Sequence, residues 1–487
     1  MNKQEIIKER DLLLSQTKKY APVLRPFFES DETLEEYSKN LYHFKIDQVH
    51  QKRQDLIKKV IDKKFTKLFG SSYQKELKVN LDDDLAFNIA DHHQVLNHPC
   101  LIGDNFIGNT EKFAKNEKQD AIIVISSGDV PPNNYFSKNG FRFHDKNIPL
   151  FSVSEKESVS YYLPKRKFNF IERLKQIERW SEFSQEEQEF LEKEQKRFDS
   201  IDFSKCTDYC DQTTLIVKET WPLMFEEKLR QNLPELLYFS QEEITSKCLI
   251  EILKEKNFIS ECLFNEKFRQ KVIENFRGIV VTWRENEDKG THFFWRKYPG
   301  EPRALRMWVK GNQLVPSDER YKDLSVNLDK KSIIELLEKG EIYPSLFLIF
   351  SVLNFYSGIK PLVGYGSVIY LNFMKNAWLK TLEDTEFENE IPKIEQIDTN
   401  GMIACAPIFF KRIDGKIKTL YAEDIIYEGG ISADYLEKSL NMKYGDLLSI
   451  AVADLYFYIA AKYIPKSEHL KPTINFNDLA EITFKDL

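Results

Sequence analysis

The chain has 487 residues, 42 % of them hydrophobic and 13 % aromatic; this composition excludes wholesale disorder, and the length exceeds what one hydrophobic core ordinarily serves. The net charge of -7 is spread along the sequence, so nothing in the overall balance points to nucleic acid or to an acidic membrane surface. Of the six cysteines only Cys206 and Cys210 lie close together, without the second pair or the histidine that a zinc knuckle needs.

Residues 1–78 are expected to form a helical N-terminal region, because Leu56, Val60, Ile61, Phe65 and Leu68 recur at helical spacing among many charges. The opening stretch, "MNKQEIIKERDLLL", lacks the apolar core of a secretory signal, so the expected compartment is the cytoplasm. Residues 79–164 read as the first part of a Rossmann-like core. "DLAFNIA" is short and apolar, as a buried strand is, and Pro99 opens a helix expected to run to about Lys115, with Ile102, Phe106 and Phe113 along one face. "DAIIVISSGD" is a continuous apolar run ending in a polar turn, which fits a strand covered on both faces, and an irregular loop is expected from there to Leu150. Strand, loop, helix, strand is a βαβ unit and implies a parallel sheet.

Residues 165–335 are expected to be an insertion, helical to about residue 270 and then a small antiparallel meander from "FRGIVVTWREN" to "RALRMWVKGNQLVP". Trp283, Arg284, Trp295, Arg296, Arg303, Arg306 and Trp308 interleave there. Such a set can stack on single-stranded nucleic acid, but strand alternation puts Trp on a packed face with Arg outward or over the rings, and no nucleic-acid partner is expected. A substrate carboxylate could still meet one of these arginines. Residues 336–487 supply the second part of the core and the C-terminal helices. Within them, "SLFLIFSVLNFYSGI" is an apolar helix too short to span a bilayer, and no membrane partner is expected. A hairpin turns at Asp414 and Gly415, and "YGDLLSIAVADLYFYIAAKYI" is a largely buried helix. The expected fold class is α/β: a Rossmann-like parallel sheet core with a helical N-terminal region, a helical insertion and a small antiparallel β meander.

Ligands of parallel sheets bind at the carboxyl ends of strands, and the loop carrying Asp91, His92, His93, Asn97 and His98 occupies such an end, with three of the eight histidines. A helix start attracts phosphate, and imidazoles beside it add hydrogen bonds to developing negative charge. His92, His93 and His98 are therefore candidates to hold and polarise phosphate oxygens, Asp91 to orient an imidazole, and Asn97 to contact a nucleotide beside the cap. Asp129, at the next strand end, is placed to contact ribose or an amine nucleophile. The competing reading is structural, because histidines in polar turns are commonly capping or core hydrogen-bonding groups. Asp91 and the three histidines, with Asp129 and His144, are also competent metal ligands. Adjacent residues of an extended chain point to opposite sides, however, so His92 and His93 do not readily hold one ion, and no metal is assigned.

The loop at Ala90, Asp91, His92 and His93, followed by Leu96, His98 and Pro99, stands in order with a second segment, "GIKPLVGYGSVIYLNFM", in which Gly364, Tyr365, Gly366, Ser367 and Tyr370 enter an apolar helix. In this the chain resembles the bacillithiol-biosynthesis cysteine-adding enzymes. Those enzymes carry a strand, a Thr-Gly-Gln-Gln loop, a Leu and a Gly-Pro opening the next helix, and later a Gly-Gly-Pro-Gly-Glu stretch. The resemblance implies a nucleotidyltransferase-like Rossmann core with a nucleotide between the histidine loop and the glycine turn. Gly364 and Gly366 would allow close backbone approach, with Ser367 at the helix start. The sequence departs from the family where both loop glutamines are histidines and where Pro-Gly-Glu is Tyr-Gly-Ser. It also has no sustained heptad pattern near the C-terminus, so reaction and oligomeric state are not carried over.

The expected function is that of a nucleotide-using ligase or transferase joining an amino-acid-like group to a small molecule. ATP or another nucleotide is the expected cofactor, Mg²⁺ is compatible with it, and oligomer formation stays open. One alternative is a metal-dependent phosphoesterase centred on the Asp-His-His loop, since "DHH" also resembles the manganese phosphoesterases named for it. Their upstream Asp-x-Asp element has no counterpart here, "LDDD" at 81–84 being too close. The other alternative is a non-catalytic partner-binding protein on a degenerate Rossmann core.

Overall fold

The computed structural model describes residues 2–41, 48–71, 86–88, 90–115, 121–152, 158–403 and 407–484. Its centre is a set of parallel strands: β1 (Ala86–Asn88), β2 (Ala121–Ser126), β3 (Glu235–Ser240), β4 (Lys360–Val363) and β5 (Gly401–Met402). β2 pairs with β3 along its whole length, from Ala121 opposite Glu235 to Ser126 opposite Ser240. β4 lies between β1 and β5, with Ala86 opposite Lys360 and Leu362 opposite Gly401. The two groups join just beyond β1 and β2. There the His93 backbone N–H donates to Ser127 O at 2.7 Å, and the Ser127 N–H donates to Asp91 O at 3.2 Å. The spatial order is therefore β3-β2-β1-β4-β5. The chain builds outward on one side of β1, returns to the middle, and builds on the other side. The fold is α/β.

β2 matches its sequence signature, since all six residues are buried. β3 does not, because "ELLYFS" lies inside the segment expected to be an insertion. Residues 165–335 thus give the core a strand whose Leu236, Leu237, Tyr238 and Phe239 are fully buried, and the boundary of the core is corrected accordingly. Asp84, Leu85 and Ile89, the flanks of the expected first strand, lie outside the described residues.

The helices that frame the sheet are α1 (Gln48–Phe69), α2 (Pro99–Ile107), α3 (Gln241–Ile252), α4 (Leu346–Phe350, continuing as a wider π turn over Ser351–Tyr356), α5 (Tyr365–Leu382) and α6 (Tyr444–Tyr463). α2 ends earlier than expected, and a separate helix resumes over Thr110–Lys115. At the break, a Cβ on Gly108 would stand 3.2 Å from Asp104 O and 3.3 Å from the Leu362 side chain, so the backbone there runs tight against β4. Ile102, Phe106 and Phe113 are buried all the same, with the two phenyl rings 4.9 Å apart. α6 is long and apolar enough to cross a membrane by length and composition, but 61 % of its apolar window is buried inside the protein.

Two further expectations change. The loop after β2 contains a hairpin, Gly140–Phe143 with Lys146–Pro149, turning at His144 and Asp145, both with positive φ. The expected meander is divided. Trp283–Arg284 pairs only with Lys289–Gly290, Phe294–Lys297 lies between Ala304–Leu305 and Ile342–Pro344, and a three-stranded meander forms later from Met307–Lys310, Gln313–Pro316 and Val326–Asn327. Residues 278–282 turn instead of extending, with φ of 88° at Gly278 and 72° at Val281. The hairpin at Asp414 and Gly415 forms as expected. Cys100, Cys206, Cys210, Cys248 and Cys262 are buried free thiols, and Cys405 lies outside the described residues.

Candidate active site

The histidine loop leaves β1 and crosses to the end of β2. Asp91 is fully buried; its Oδ2 accepts from Asn105 Nδ2 at 2.6 Å and from the Tyr238 hydroxyl, while Oδ1 has no partner. Burial pushes this carboxyl up to about 7 against the pull of those donors. Its hydrogen-bonding partners are thus an amide and a phenol. His93, also fully buried, has Nε2 3.0 Å from Cys210 O and Nδ1 3.0 Å from Ser126 Oγ. A carbonyl only accepts, so Nε2 carries the proton and Nδ1 accepts from the Ser126 hydroxyl. His98 is the N-cap of α2, its Nδ1 accepting the Cys100 N–H at 3.2 Å, and its ring packs among Tyr135, Phe136 and Tyr421. The His92 ring stands edge-on to Phe136 at 4.9 Å, and its Nδ1 is buried without a partner.

Burial holds His92 and His93 down at about 4 and His98 at about 3, so all three rings are neutral at physiological pH. Asn97 fastens the loop to the hairpin after β2. It accepts the Arg142 N–H at 2.8 Å and donates to Arg142 O at 3.1 Å and to the Glu423 carboxylate. The loop therefore spends most of its polar atoms on holding itself in place. His144 bonds Glu187 at 2.7 Å, and among the described residues no group of three His, Cys, Asp or Glu could hold a metal ion.

The glycine bend follows β4. Gly364 is the N-cap of α5, and a Cβ on Gly366 would lie 1.9 Å from Cε1 of Tyr458, so glycine is needed there because an aromatic ring of α6 packs on the backbone. Ser367 Oγ accepts from the Tyr370 hydroxyl at 2.8 Å. α6 ties the separate segments together along one stripe. Asp454 meets the hydroxyl of Tyr135, which also packs on His98; Tyr458 covers Gly366; and Lys462 feels the charge of Arg284. These residues are one turn apart, about 12 Å from end to end.

Besides Asp91 Oδ1 and His92 Nδ1, an unpartnered polar atom lines a cleft at the end of β2. Glu242 at the start of α3 accepts the Gly128 N–H at 2.8 Å and the Asp129 N–H at 3.0 Å, which fixes the turn. A Cβ at 128 would stand 2.9 Å from Glu242 Oε2, so any larger residue there would push this carboxylate off the two N–H groups. Asp129 is thereby presented to a cleft of about 130 Å³ whose lining includes Arg284, Lys289, Thr291, Trp295 and Ser345. Asp129 Oδ1 accepts the Tyr343 hydroxyl at 2.6 Å. Burial, with Glu242 nearby, pushes the Asp129 carboxyl up to about 8 despite hydrogen bonds from Tyr343 and Trp295.

Ser345, the N-cap of α4, is 3 % exposed, and its Oγ has no hydrogen-bond partner. Arg284 and Lys289 share one carboxylate, Glu287, at 3.2 and 2.9 Å, which leaves an excess positive charge beside the cleft. Lys462 lies over the Tyr458 ring at 3.4 Å; desolvation and then repulsion from Arg284 bring its ammonium down to about 8. Elsewhere in the Trp/Arg set, Trp283 is fully buried and Arg306 lies over Trp295 and Trp308, in keeping with the structural reading. Sequence reasoning singled out Asp129 and included Arg284 in that set, but missed Lys289, Ser345 and Lys462. No protein-family model matches the sequence, and no curated protein matches it.

Proposed function

We propose that the protein is a nucleotide-using ligase or transferase acting on a small molecule, with a Rossmann-like core whose strand ends hold the nucleotide phosphates. One observation carries this reading: a buried, unpartnered hydroxyl, Ser345 Oγ, lines a cleft at the carboxyl end of β2 together with Asp129, Arg284 and Lys289. A hydroxyl without a partner at a helix start, beside two cations that share one carboxylate, is suited to an anionic oxygen. The cleft is the size of a charged group, so the rest of the ligand would extend over its open edge. The cleft lies at the carboxyl end of a strand of the parallel sheet, the end at which ligands of such sheets bind.

The role of Asp129 follows from its environment. A carboxyl held near 8 is mostly protonated at neutral pH, so it can donate a hydrogen bond to an anionic oxygen, while its ionised fraction, which grows as pH rises, can take the proton of an attacking amine. A Mg²⁺ ion arriving with the phosphates would find Asp129 as the acidic side chain of the lining. The likeness to the cysteine-adding enzymes supports the same reaction class, and a cytoplasmic setting completes the proposal. In this reading His92, His93 and His98 shape the loop that positions the β2 turn, and the glycine bend seats α6.

Thermal unfolding of the purified protein against a panel of nucleotides, with and without Mg²⁺, tests the proposal. ATP or ADP should raise the midpoint, and Ser345→Ala and Arg284→Ala should each reduce the rise. A flat profile across the panel would instead favour a partner-binding protein without catalysis.

A further inference from the structure

A second concavity, of about 700 Å³, opens between α1 and α3 and shares no lining residue with the strand-end cleft. Its floor is apolar, built from Leu56, Val60, Ile244 and Ile250. Its rim is basic: Lys59, Lys63 and Lys67 come from successive turns of α1, and Lys247 comes from α3. The two acidic residues of the lining are already engaged. Glu243 accepts from Lys64, a buried lysine that also pairs with Asp211, and Glu251 accepts from Lys254 at 2.7 Å. Lys67 is likewise held, 2.9 Å from Asp211 and 3.0 Å from Thr207. Lys59, Lys63 and Lys247 are exposed and have no carboxylate partner among the described residues. Three uncompensated cations thus border an apolar trough whose walls are pinned by the Lys64 ion pairs.

We propose that this groove binds a small amphipathic anion, a carboxylate or phosphate carried on an apolar body. The body would lie on the floor and the charge would meet Lys59, Lys63 and Lys247, whose aliphatic stems extend the apolar surface. The volume falls in the range of small-molecule sites, about 300–1,000 Å³. A bilayer surface does not follow a trough between two helices, so the charge belongs to a free molecule.

Calorimetric titration of the full-length protein with decyl phosphate below its micellar concentration tests this, with decanol as the uncharged counterpart. Decyl phosphate should bind saturably at one per chain, and decanol at least tenfold more weakly. The Lys59→Gln/Lys63→Gln/Lys247→Gln variant changes only exposed side chains, and an unaltered circular dichroism spectrum confirms its fold. It should lose at least tenfold in affinity, and Val60→Trp, which fills the floor, should abolish binding. Absence of saturable binding, equal affinity for decanol, or undiminished affinity in the triple variant would overturn the proposal. So would sedimentation with phosphatidylserine vesicles by a protein that ignores monomeric decyl phosphate, which would assign the lysines to a membrane surface.

Discussion

Replacing His98 by asparagine separates the capping role of this residue from any role for its charge. Asparagine keeps a side-chain acceptor for the Cys100 N–H and is a favourable N-cap, but it takes up no proton. In the wild-type fold, burial holds the ring at about 3, whereas in the unfolded chain it titrates near ~6.5. The folded value lies below the unfolded one, so the unfolded chain binds the proton first as pH falls. The stability tied to the neutral ring is complete above about 6.5 and declines as pH drops, until the folded ring itself titrates near 3. At pH 7 the effect is a few tenths of a kcal/mol, and at pH 5 it reaches about 2 kcal/mol. Urea unfolding of wild type and His98→Asn at the two pH values isolates it, because the buried carboxyls Asp91, Asp129 and Glu423 are common to both proteins and cancel. Wild type should lose about 2 kcal/mol more than the variant between pH 7 and pH 5. Equal losses would show that the ring protonates freely in the folded state, and would refute its assignment as a neutral, packed cap.

Other consequences are as direct. Lys64→Met removes the buried one of the two lysines paired with Asp211, whose side chain is fully buried, and leaves Lys67 at 2.9 Å, so it should cost about 2 kcal/mol in chemical unfolding; a loss below about 0.5 would contradict the pairing. Gly366→Val must displace the Tyr458 ring and should destabilise by about 1–3 kcal/mol. Combined with Tyr458→Ala it should fall short of additivity by about 1 kcal/mol or more, whereas additive losses would mean that the ring does not occupy that space. Asp129 is protonated below about 8 and charged above it, so pyrophosphate affinity should fall above that pH, by up to about tenfold per pH unit. Asp129→Asn should remove this excess fall, and identical pH profiles for the two proteins would place the anion elsewhere.

The sequence was legible where burial leaves a continuous signature. "AIIVIS" reads as a two-sided strand because every side chain in it is buried, and the Asp-Gly turn of the later hairpin follows from the positive φ at both positions. β3 was hidden because its short apolar run adjoins helical patterning and β-periodicity is absent from a strand covered on both faces. β4 was obscured by Lys360, which is buried against Asp398, and by Pro361. At the candidate site, clustering along the chain drew attention to the histidines, yet spacing does not show which polar atoms already have partners. His93 is bonded at both nitrogens, while Ser345, inconspicuous at the start of an apolar run, keeps an unused hydroxyl. The cleft assembles from residues 129, 284, 289 and 345, which only the tertiary fold brings together.

The most direct measurement is the position of a bound nucleotide in crystals grown with ADP and Mg²⁺. The account predicts difference density with a phosphate group in hydrogen-bonding reach of Ser345 Oγ and the Arg284 guanidinium, beside Asp129. Density for the nucleotide at any other place on the molecule, with that cleft filled only by solvent, would contradict it.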